Sequence, residues 1–214
     1  AKVSVTGIVH KAEQTTLERP GFLAKDGLTA AEMGTALHAF LEHADFAALA
    51  AAKQAGTLET AIPAERDRQV EAKLTASEIA EKLDAGRIRR FVESEAFARI
   101  CAADEVLREL DFITALPASA VLAAQGSARP QADSEAAQAR VLVQGIADIV
   151  LVFDDHIELL DYKTDRVAAP QELTGRYALQ LKLYAAMVRR QFGLPVTEAV
   201  LYSFCLGQAV KVEL

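Results

Sequence analysis

Cysteine is scarce in this sequence, and its scarcity excludes one class of metal protein. The two cysteines, Cys101 and Cys205, lie far apart in the 214-residue chain and cannot supply the four thiolates of a structural zinc site. Both have apolar neighbours in the sequence, so we expect buried free thiols. Free thiols indicate an intracellular, reducing location, which we take to be the cytoplasm.

Long apolar runs are absent as well. No stretch is long enough to cross a bilayer and no secretory signal begins the chain, so we expect no membrane partner. The first residue is Ala1 rather than Met, which leads us to expect a fragment of a longer protein or a processed chain. Apolar residues make up 51% and charged residues 25% of the sequence, a composition typical of a globular protein. We expect one domain over residues 1–214.

Basic residues are outnumbered by acidic ones. Lys and Arg total 23 and Asp and Glu total 30, which gives a net charge of −7. This balance argues against a protein that coats DNA by releasing counterions, but it leaves room for an enzyme with a local basic track. Candidate tracks are residues 87–90 and 189–190, and the alternative is that these arginines lie on solvated helix faces.

The hydrophobic pattern changes along the chain from helical spacing to alternation. Helices are predicted at 30–43, 63–83, 88–93, 95–102 and 171–192, the first with Thr29 as N-cap and Glu32 completing a capping box, and the 63–83 tract stopped by Gly86. Strands are predicted at 2–9, 106–116, 141–153, 157–162, 199–204 and 210–214, and loops at 17–28 and 119–139. This order predicts an α/β fold with a mixed central sheet, preceded by a helical insertion.

The clearest candidate for chemistry is a pair of predicted strands. Asp161 and Lys163 are two residues apart and therefore point to one face of their strand, whereas Tyr162 points to the other. Asp148 lies on the partner strand among apolar neighbours, where a carboxylate is costly to bury unless a cation or hydrogen bonds satisfy it. Two carboxylates and a substrate phosphate suit Mg²⁺, and Lys163 is placed to orient water or to stabilise transition-state charge. The alternative is an Asp161–Lys163 surface ion pair of little consequence.

Three further side chains have both functional and structural interpretations. His38 lies on the first long helix with Leu37 and Leu41 beside it, so it points inward or along a cleft, either as a ligand or as a structural histidine paired with Glu42. Gln180 and Tyr184 share a helix face. Together they are able to hydrogen-bond a phosphate backbone, and the alternative is a core tyrosine beside a helix-edge glutamine.

Taken in order, the motifs resemble a known family. Gly34-x-x-x-His38, Gly145-x-x-Asp148, Asp161-Tyr162-Lys163 and Gln180-x-x-x-Tyr184 resemble the motif set of the RecB-like branch of the PD-(D/E)XK nucleases. The flanking segments at 4–6, 143–148 and 160–165 also resemble those of the C-terminal nuclease domains of AddA-type helicase–nuclease subunits. Gly7 departs from this pattern, where a Glu is expected. The resemblance implies a restriction-endonuclease-like core at 105–214 and a mainly helical part at 30–104.

The resemblance also implies roles for individual residues. His38, Asp148, Asp161 and the Tyr162 carbonyl would hold Mg²⁺, for which Mn²⁺ would substitute, and Lys163 would be the catalytic lysine. Gln180 and Tyr184 would brace the DNA, and Glu109 matches a less constant acidic position. No iron–sulfur cluster is expected from two cysteines. No nucleotide-binding P-loop occurs, so no ATP site is expected here.

The function implied is metal-dependent hydrolysis of single-stranded DNA in double-strand-break resection and recombinational repair. The partners implied are DNA, the helicase region of the same polypeptide, and an AddB-type subunit. Three alternatives stay open: a non-catalytic DNA-binding module on a decayed nuclease fold, a stand-alone exonuclease of the same superfamily, and a small-molecule enzyme that uses Asp148 and Asp161 as an acid–base pair.

Overall fold

A computed structural model describes residues 2–4, 30–119 and 139–214 of the chain. Its first half is helical. The helices are α1 (Ala30–His43), α2 (Phe46–Ala55), α3 (Leu58–Glu71), α4 (Ser77–Ala80), α5 (Ala85–Glu93) and α6 (Glu95–Ala102). Side chains of Asp45, Asp84 and Ser94 accept hydrogen bonds from the first turns of α2, α5 and α6, which satisfies backbone donors that have no partner within the helix.

Three details of the helical half differ from prediction. The tract at 63–83 is not one helix, because Lys73 adopts a left-handed conformation with φ 59° just after α3, and Gly86 lies inside α5 rather than stopping a helix. Helix α2 was not predicted, since its run of alanines carries little periodic signal. The predicted cap at Thr29, the loop at 17–28 and all but the ends of the loop at 119–139 fall outside the described residues.

The second half supplies the sheet. Its elements are β2 (Glu105–Pro117), β3 (Arg140–Val152), β4 (Ile157–Lys163), α7 (Pro170–Phe192), β5 (Val196–Ser203) and β6 (Gln208–Lys211). Within the described residues, these five strands and the short β1 (Lys2–Ser4) form one mixed sheet. The strand β3 is central, with β2 antiparallel along one edge and β4 antiparallel to its second half. Strands β4 and β5 are parallel and joined through α7, and β1 runs parallel to the first half of β3.

Each face of the sheet is covered by helices, and each has its own apolar core. One core joins α1 to α6 with sheet residues such as Leu160, Tyr162 and Phe204. The other joins α7 with sheet residues such as Val150 and Leu159. The α/β class with a mixed, helix-flanked sheet is thereby confirmed, and the active-site candidates lie at the end of β4 between the two layers of helix.

The cysteine prediction is only half right. Cys101 and Cys205 are free, but Cys101 is exposed and Cys205 partly exposed. Cys101 is exposed because α6 turns Ala96, Phe97 and Ile100 towards the core and leaves Cys101 on its outer side. Among the helices of the described segments, none has the length and apolarity needed to cross a membrane.

Candidate active site

Three acidic residues lie side by side on neighbouring strands. The β2–β3 register pairs Arg108 with Ile149 and Leu110 with Ala147, which sets Glu109 opposite Asp148. The β3–β4 register pairs Ile149 with Leu160 as its first rung, so its continuation sets Asp148 opposite Asp161. Direct neighbours in an antiparallel pair have side chains close together, and the sheet therefore gathers three carboxyl groups at one place.

Both strands of the β2–β3 pair are irregular at this point. Glu109 has a left-handed backbone with φ 45°, which is rare and costly for a non-glycine residue inside a strand. On β3, Ala147 packs in the α7 core and Ile149 in the opposite core, although residues two apart normally share a face. The alternation of side chains on β3 therefore reverses at Asp148, and Glu109 and Asp148 both lie at this irregularity.

Asp148 is held by the backbone of the next strand. Its Oδ2 accepts a hydrogen bond of 2.7 Å from the N–H of Tyr162, where the regular β3–β4 ladder has ended. The same oxygen lies 3.6 Å from Nδ1 of His38. The His38 ring in turn meets the Tyr162 ring edge-on, with centroids 5.7 Å apart. These contacts link α1, β3 and β4 at one carboxylate.

His38 reaches the sheet because α1 approaches it closely. A Cβ added to Gly34 would lie 2.7 Å from Oγ1 of Thr164, so a larger residue at this position would force the Thr164 side chain to move. The alternative in which His38 pairs with Glu42 is not the arrangement that the structure has. Glu42 lies 3.9 Å from His43 instead, and His38 faces Asp148.

The C-terminal end of α1 is fixed by side chains from other elements. Arg108 on β2 donates to the carbonyls of Leu41, Glu42 and Ala44 at 3.3, 2.9 and 2.7 Å. Two side chains of α3 complete the end, since Arg68 donates to His43 O and Gln69 to Phe40 O. Carbonyls at a helix end have no partner within the helix, and these donors satisfy them while setting the position of the helix that carries His38.

The donor atoms suit a divalent cation. One ligand atom from each of His38, Glu109 and Asp148 lies within 4.8 Å of the others. Carboxylate oxygens with one imidazole fit Mg²⁺ or Mn²⁺. Asp161 Oδ2 is buried and accepts no well-formed hydrogen bond from the described residues, although it forms an ion pair with Lys163. A buried carboxylate needs a neighbouring positive charge, and at Asp161 the Lys163 ammonium supplies one.

Asp161 and Lys163 form a buried ion pair, rather than the surface pair that was the alternative interpretation. Burial raises the pKa of Asp161 above its ordinary value, and Lys163 opposes the shift. Burial lowers the pKa of Lys163, but the carboxylates of Asp161 and Asp148 together raise it above its usual range. Lys163 is therefore a cation in the folded protein at neutral pH.

The other titratable groups are shifted by the same clustering of charge. Burial raises the pKa of Glu109 to about 7, with a further contribution from the nearby Asp148 carboxylate. Burial lowers the pKa of His38, but the close approach of the Asp148 carboxylate and the charge of Asp161 outweigh it and raise the pKa overall. Such shifts are frequent at functional sites, because binding and catalysis need groups poised between two protonation states.

Gln180 and Tyr184 meet as predicted from their spacing on one helix face. Gln180 Nε2 donates to the Tyr184 hydroxyl at 2.8 Å, and both side chains are buried. Gly145 explains how Tyr184 fits against the sheet. A Cβ on Gly145 would lie 2.8 Å from the Tyr184 ring and 2.7 Å from the Phe112 ring. The lack of a side chain at Gly145 therefore makes room for both aromatic rings.

Two residues at the site were not assigned a role from the sequence. The Tyr177 hydroxyl donates to Asp165 Oδ1 at 2.8 Å, and Lys163 Nζ lies 4.3 Å from the centroid of the Tyr177 ring. The signal was available, because Tyr177, Gln180 and Tyr184 recur at helical spacing on one face of α7. Conversely, Arg87 and Arg89 of the candidate basic track are engaged by Asp84, Glu59 and Glu93.

The mixed, helix-flanked sheet is the fold expected of the nuclease family that the motifs resemble. The sequence matches the family model described as the PD-(D/E)XK nuclease superfamily over residues 12–212, and the chain belongs to that superfamily. Its relatives include proteins named as the A subunit of an ATP-dependent helicase/nuclease. The one from Geobacillus kaustophilus is 36% identical over 91% of this chain, and the one from Geobacillus thermodenitrificans is 34% identical over 91%. The relative of that name from Bacillus cytotoxicus is 33% identical over 98% of this chain.

The chain corresponds to a small part of each of these proteins. It spans 15% of the length of the two Geobacillus relatives and 16% of the Bacillus relative. The resemblance to RecB-like PD-(D/E)XK nucleases, and within them to AddA-type subunits, is confirmed by these matches.

Proposed function

We propose that this chain is a Mg²⁺-dependent nuclease domain that hydrolyses single-stranded DNA. The observation that carries the proposal is the cluster of His38, Glu109 and Asp148 beside the buried ion pair of Asp161 and Lys163. Three features of the fold meet at this one cluster. The strand register brings the acids together, the backbone is irregular at Glu109, and the capped helix α1 carries His38. A small-molecule enzyme with a simple acid–base pair would need neither the histidine nor the third carboxylate.

The proposed ligands are His38, Glu109, Asp148 and Asp161, with the backbone carbonyl of Tyr162 as a further one. Glu109 is included among the proposed ligands because its ligand atom lies within 4.8 Å of those of His38 and Asp148. When bound, a divalent cation supplies Lewis-acid activation of water and of the phosphodiester. His38 must lose its proton to bind a metal, so binding is coupled to proton release.

Lys163 is the proposed catalytic lysine. Its ammonium is buried beside the carboxylates and stays charged at neutral pH. A fixed positive charge in a site with little water stabilises negative charge that develops on the phosphate oxygens more strongly than it would in bulk water. Gln180 and Tyr184 are proposed to brace the DNA strand, since Gln180 lines the cavity beside His38 and Lys163 and its amide holds the buried Tyr184 phenol.

The biological setting proposed follows from the relatives. The chain would be the nuclease domain of a helicase–nuclease subunit in the bacterial cytoplasm, with ATP-driven unwinding located in the rest of the polypeptide and with an AddB-type subunit for a partner. It would act in double-strand-break resection and recombinational repair. The net charge of −7 supports this division of labour, because such a chain binds DNA weakly by itself.

The direct test is cleavage of end-labelled single-stranded DNA with Mg²⁺, Mn²⁺ or EDTA. We expect cutting with either metal, none in EDTA, and none by Asp161→Asn or Lys163→Ala. Asp155→Asn is the matched control, because Asp155 is an exposed acid in the same hairpin and its loss leaves the site intact. Full cleavage by Asp161→Asn would show that the site is wrongly assigned. DNA binding without metal binding or cleavage would favour a decayed, non-catalytic module.

A further inference from the structure

A tyrosine that the proposed mechanism does not use encloses the proposed catalytic lysine. We propose that Tyr177 is a positioning residue, which together with Asp165 holds the Lys163 ammonium in place at the site. The inference rests on the proposed function, since it assigns Tyr177 a role only through Lys163. The contact between Tyr177 and Lys163 is nevertheless measurable without any DNA cleavage.

The ring of Tyr177 is a direct partner of the ammonium. Lys163 Nζ lies 4.3 Å from the ring centroid, well within the range of about 6 Å over which a ring face attracts a cation. A second partner is the carboxylate of Asp161. Tyr177 and Asp161 are both buried, so the attraction acts away from bulk water, where it is strongest.

The ring is itself fixed by the segment that carries the lysine. Its hydroxyl donates to Asp165 Oδ1 at 2.8 Å, and Asp165 follows Lys163 by two residues. Arg176 Nη1 lies 3.6 Å from the same carboxylate oxygen. Two residues of the segment Lys163–Asp165 therefore contact the same tyrosine. The Lys163 ammonium lies over the ring of Tyr177, and the Asp165 carboxylate accepts a hydrogen bond from its hydroxyl. This restricts a long side chain that otherwise has many rotamers.

The location of Tyr177 distinguishes it from an ordinary core residue. It lines a cavity of about 250 Å³ together with His38, Lys163 and Gln180. The ring is thus a wall of the space into which the proposed metal ligand and the proposed catalytic group both face. A tyrosine whose only purpose was packing would have no need to present its face to an ammonium.

The two contacts of the ammonium have different partners. Asp161 is a proposed metal ligand, so its carboxylate would be shared between Lys163 and a bound cation. The contact with the Tyr177 ring would not be shared in this way, because the ring is not a proposed ligand. The position matters because a displacement of a catalytic group by even about 1 Å lowers rates severely.

The first test is spectroscopic and uses the 214-residue chain labelled with ¹³C-lysine. A ring face shifts the resonances of the Lys163 Cε methylene upfield, and Lys163→Arg assigns the signal. We expect Tyr177→Leu to move the signal to the position of exposed lysines and Tyr177→Phe to retain the upfield shift. Phe192→Leu is the matched control, because Phe192 ends the same helix and packs in the α7 core away from the lysine. An unchanged signal in Tyr177→Leu overturns the proposal.

The second test separates positioning from simple stability. We expect Tyr177→Leu to lower kcat on single-stranded DNA about 10-fold, within the roughly 2- to 30-fold range of a cation–π contact, with KM for DNA unchanged. Tyr177→Phe should recover most of the loss. A loss of kcat that Tyr177→Phe does not recover, or one that Phe192→Leu reproduces, contradicts positioning by the ring.

Two outcomes remain decisive even if the obvious variant or the enzyme fails. If Tyr177→Leu does not fold, Asp165→Asn replaces it as the test, because it weakens the hydrogen bond from the Tyr177 hydroxyl without removing the ring. The lysine signal is then expected to move part of the way towards the position of exposed lysines. A signal that does not move counts against the proposal. If the wild-type chain does not cut DNA with Mg²⁺, the proposed function fails, whereas the lysine signal still decides whether Tyr177 holds Lys163.

Discussion

Asp148 Oδ2 accepts a 2.7 Å hydrogen bond from the backbone N–H of Tyr162, at the point where β3 and β4 cease to pair. The carboxylate therefore does two things at once. It satisfies a backbone donor that the ending ladder leaves without a strand partner, and it faces His38 from 3.6 Å away. One residue thus links the architecture of the sheet to the proposed metal site.

The two roles of Asp148 are separable by substitution. Asp148→Asn keeps a carbonyl oxygen for the Tyr162 N–H, so we expect lost cleavage with nearly unchanged stability. Asp148→Ala leaves the N–H without an acceptor, and we expect lost cleavage together with a fall of about 1–3 kcal/mol in the free energy of unfolding. Urea denaturation and DNA cleavage of both variants make the comparison. Equal destabilisation by both substitutions would contradict the role of this hydrogen bond.

The clustered acids predict a pH dependence of the metal-free protein. Burial and the Asp148 charge raise the pKa of Glu109 from 4.5 to about 7, so the folded state binds this proton more tightly than the unfolded state does. The resulting stabilisation is complete below pH 4.5 and is lost as the pH rises through about 7. The raised pKa of His38 acts in the same direction. In EDTA we therefore expect the free energy of unfolding to fall over this interval.

Glu109→Gln is the control for that measurement. It removes the titrating group but keeps a side chain of the same shape, so the unfolding free energy should depend less steeply on pH between 4.5 and about 7. The lowered pKa of Glu65 acts at pH values below 4.5 and does not interfere. Saturating Mg²⁺ should restore stability at high pH, by about 2.7 kcal/mol at 100 times its Kd. An identical slope in wild type and Glu109→Gln would contradict the assignment.

Much of the site was predictable because its residues recur at the spacings of regular structure. Asp161 and Lys163 share a strand face, and Gln180 and Tyr184 share a helix face, by periodicity alone. The α/β class followed from the change of hydrophobic period along the chain. These are local properties, and local sequence carries them.

The rest depended on contacts between distant segments or on departures from regularity. The left-handed backbone of Glu109 and the change of face at Asp148 break the alternation from which strand faces are predicted. Arg108 reaches the end of α1 across more than 60 residues of sequence, and no local pattern indicates such a contact. Gly34 and Gly145 stand out as motif positions in the sequence, but the reason for each glycine is a tertiary contact.

Arg108 is expected to be essential for the position of α1. Its guanidinium serves three carbonyls and lies 3.8 Å from the centroid of the Phe46 ring. Arg108→Met keeps much of the apolar stem but removes every donor, so we expect a loss of about 3 kcal/mol in stability. Metal affinity should weaken with it, because α1 carries His38. Denaturation, amide hydrogen exchange of α1 and Mn²⁺ calorimetry measure these effects.

The matched control for Arg108 is an arginine whose ion pairs are exposed. Arg89 pairs with Glu59 and Glu93 on the surface, and exposed ion pairs contribute little to stability because water screens them. Arg89→Met should therefore leave metal affinity and the exchange of α1 unchanged. If both methionine variants lowered metal affinity equally, the hydrogen bonds from Arg108 to the end of α1 would not be what positions His38.

Two glycines in the α7 region should respond to the same substitution in opposite directions. A Cβ on Gly145 would lie within 2.8 Å of both the Tyr184 and Phe112 rings, so Gly145→Ala forces aromatic side chains to move and should cost about 1–3 kcal/mol. It should also reduce cleavage, because Tyr184 is displaced from Gln180. Gly175, on α7, has no atom within 4 Å of an added Cβ.

Gly175→Ala is therefore expected to stabilise the chain by roughly 0.5–1 kcal/mol, since alanine restricts the unfolded chain and favours helix. Cleavage should be unchanged, because Gly175 touches none of the proposed ligands. Combining Gly145→Ala with Phe112→Leu relieves one of the two close contacts, and part of the lost stability should return. Thermal denaturation of the three variants, each assayed for cleavage, makes the comparison. A neutral Gly145→Ala would mean that the Tyr184 ring is free to shift, and that its contact with β3 does not set its place at the site.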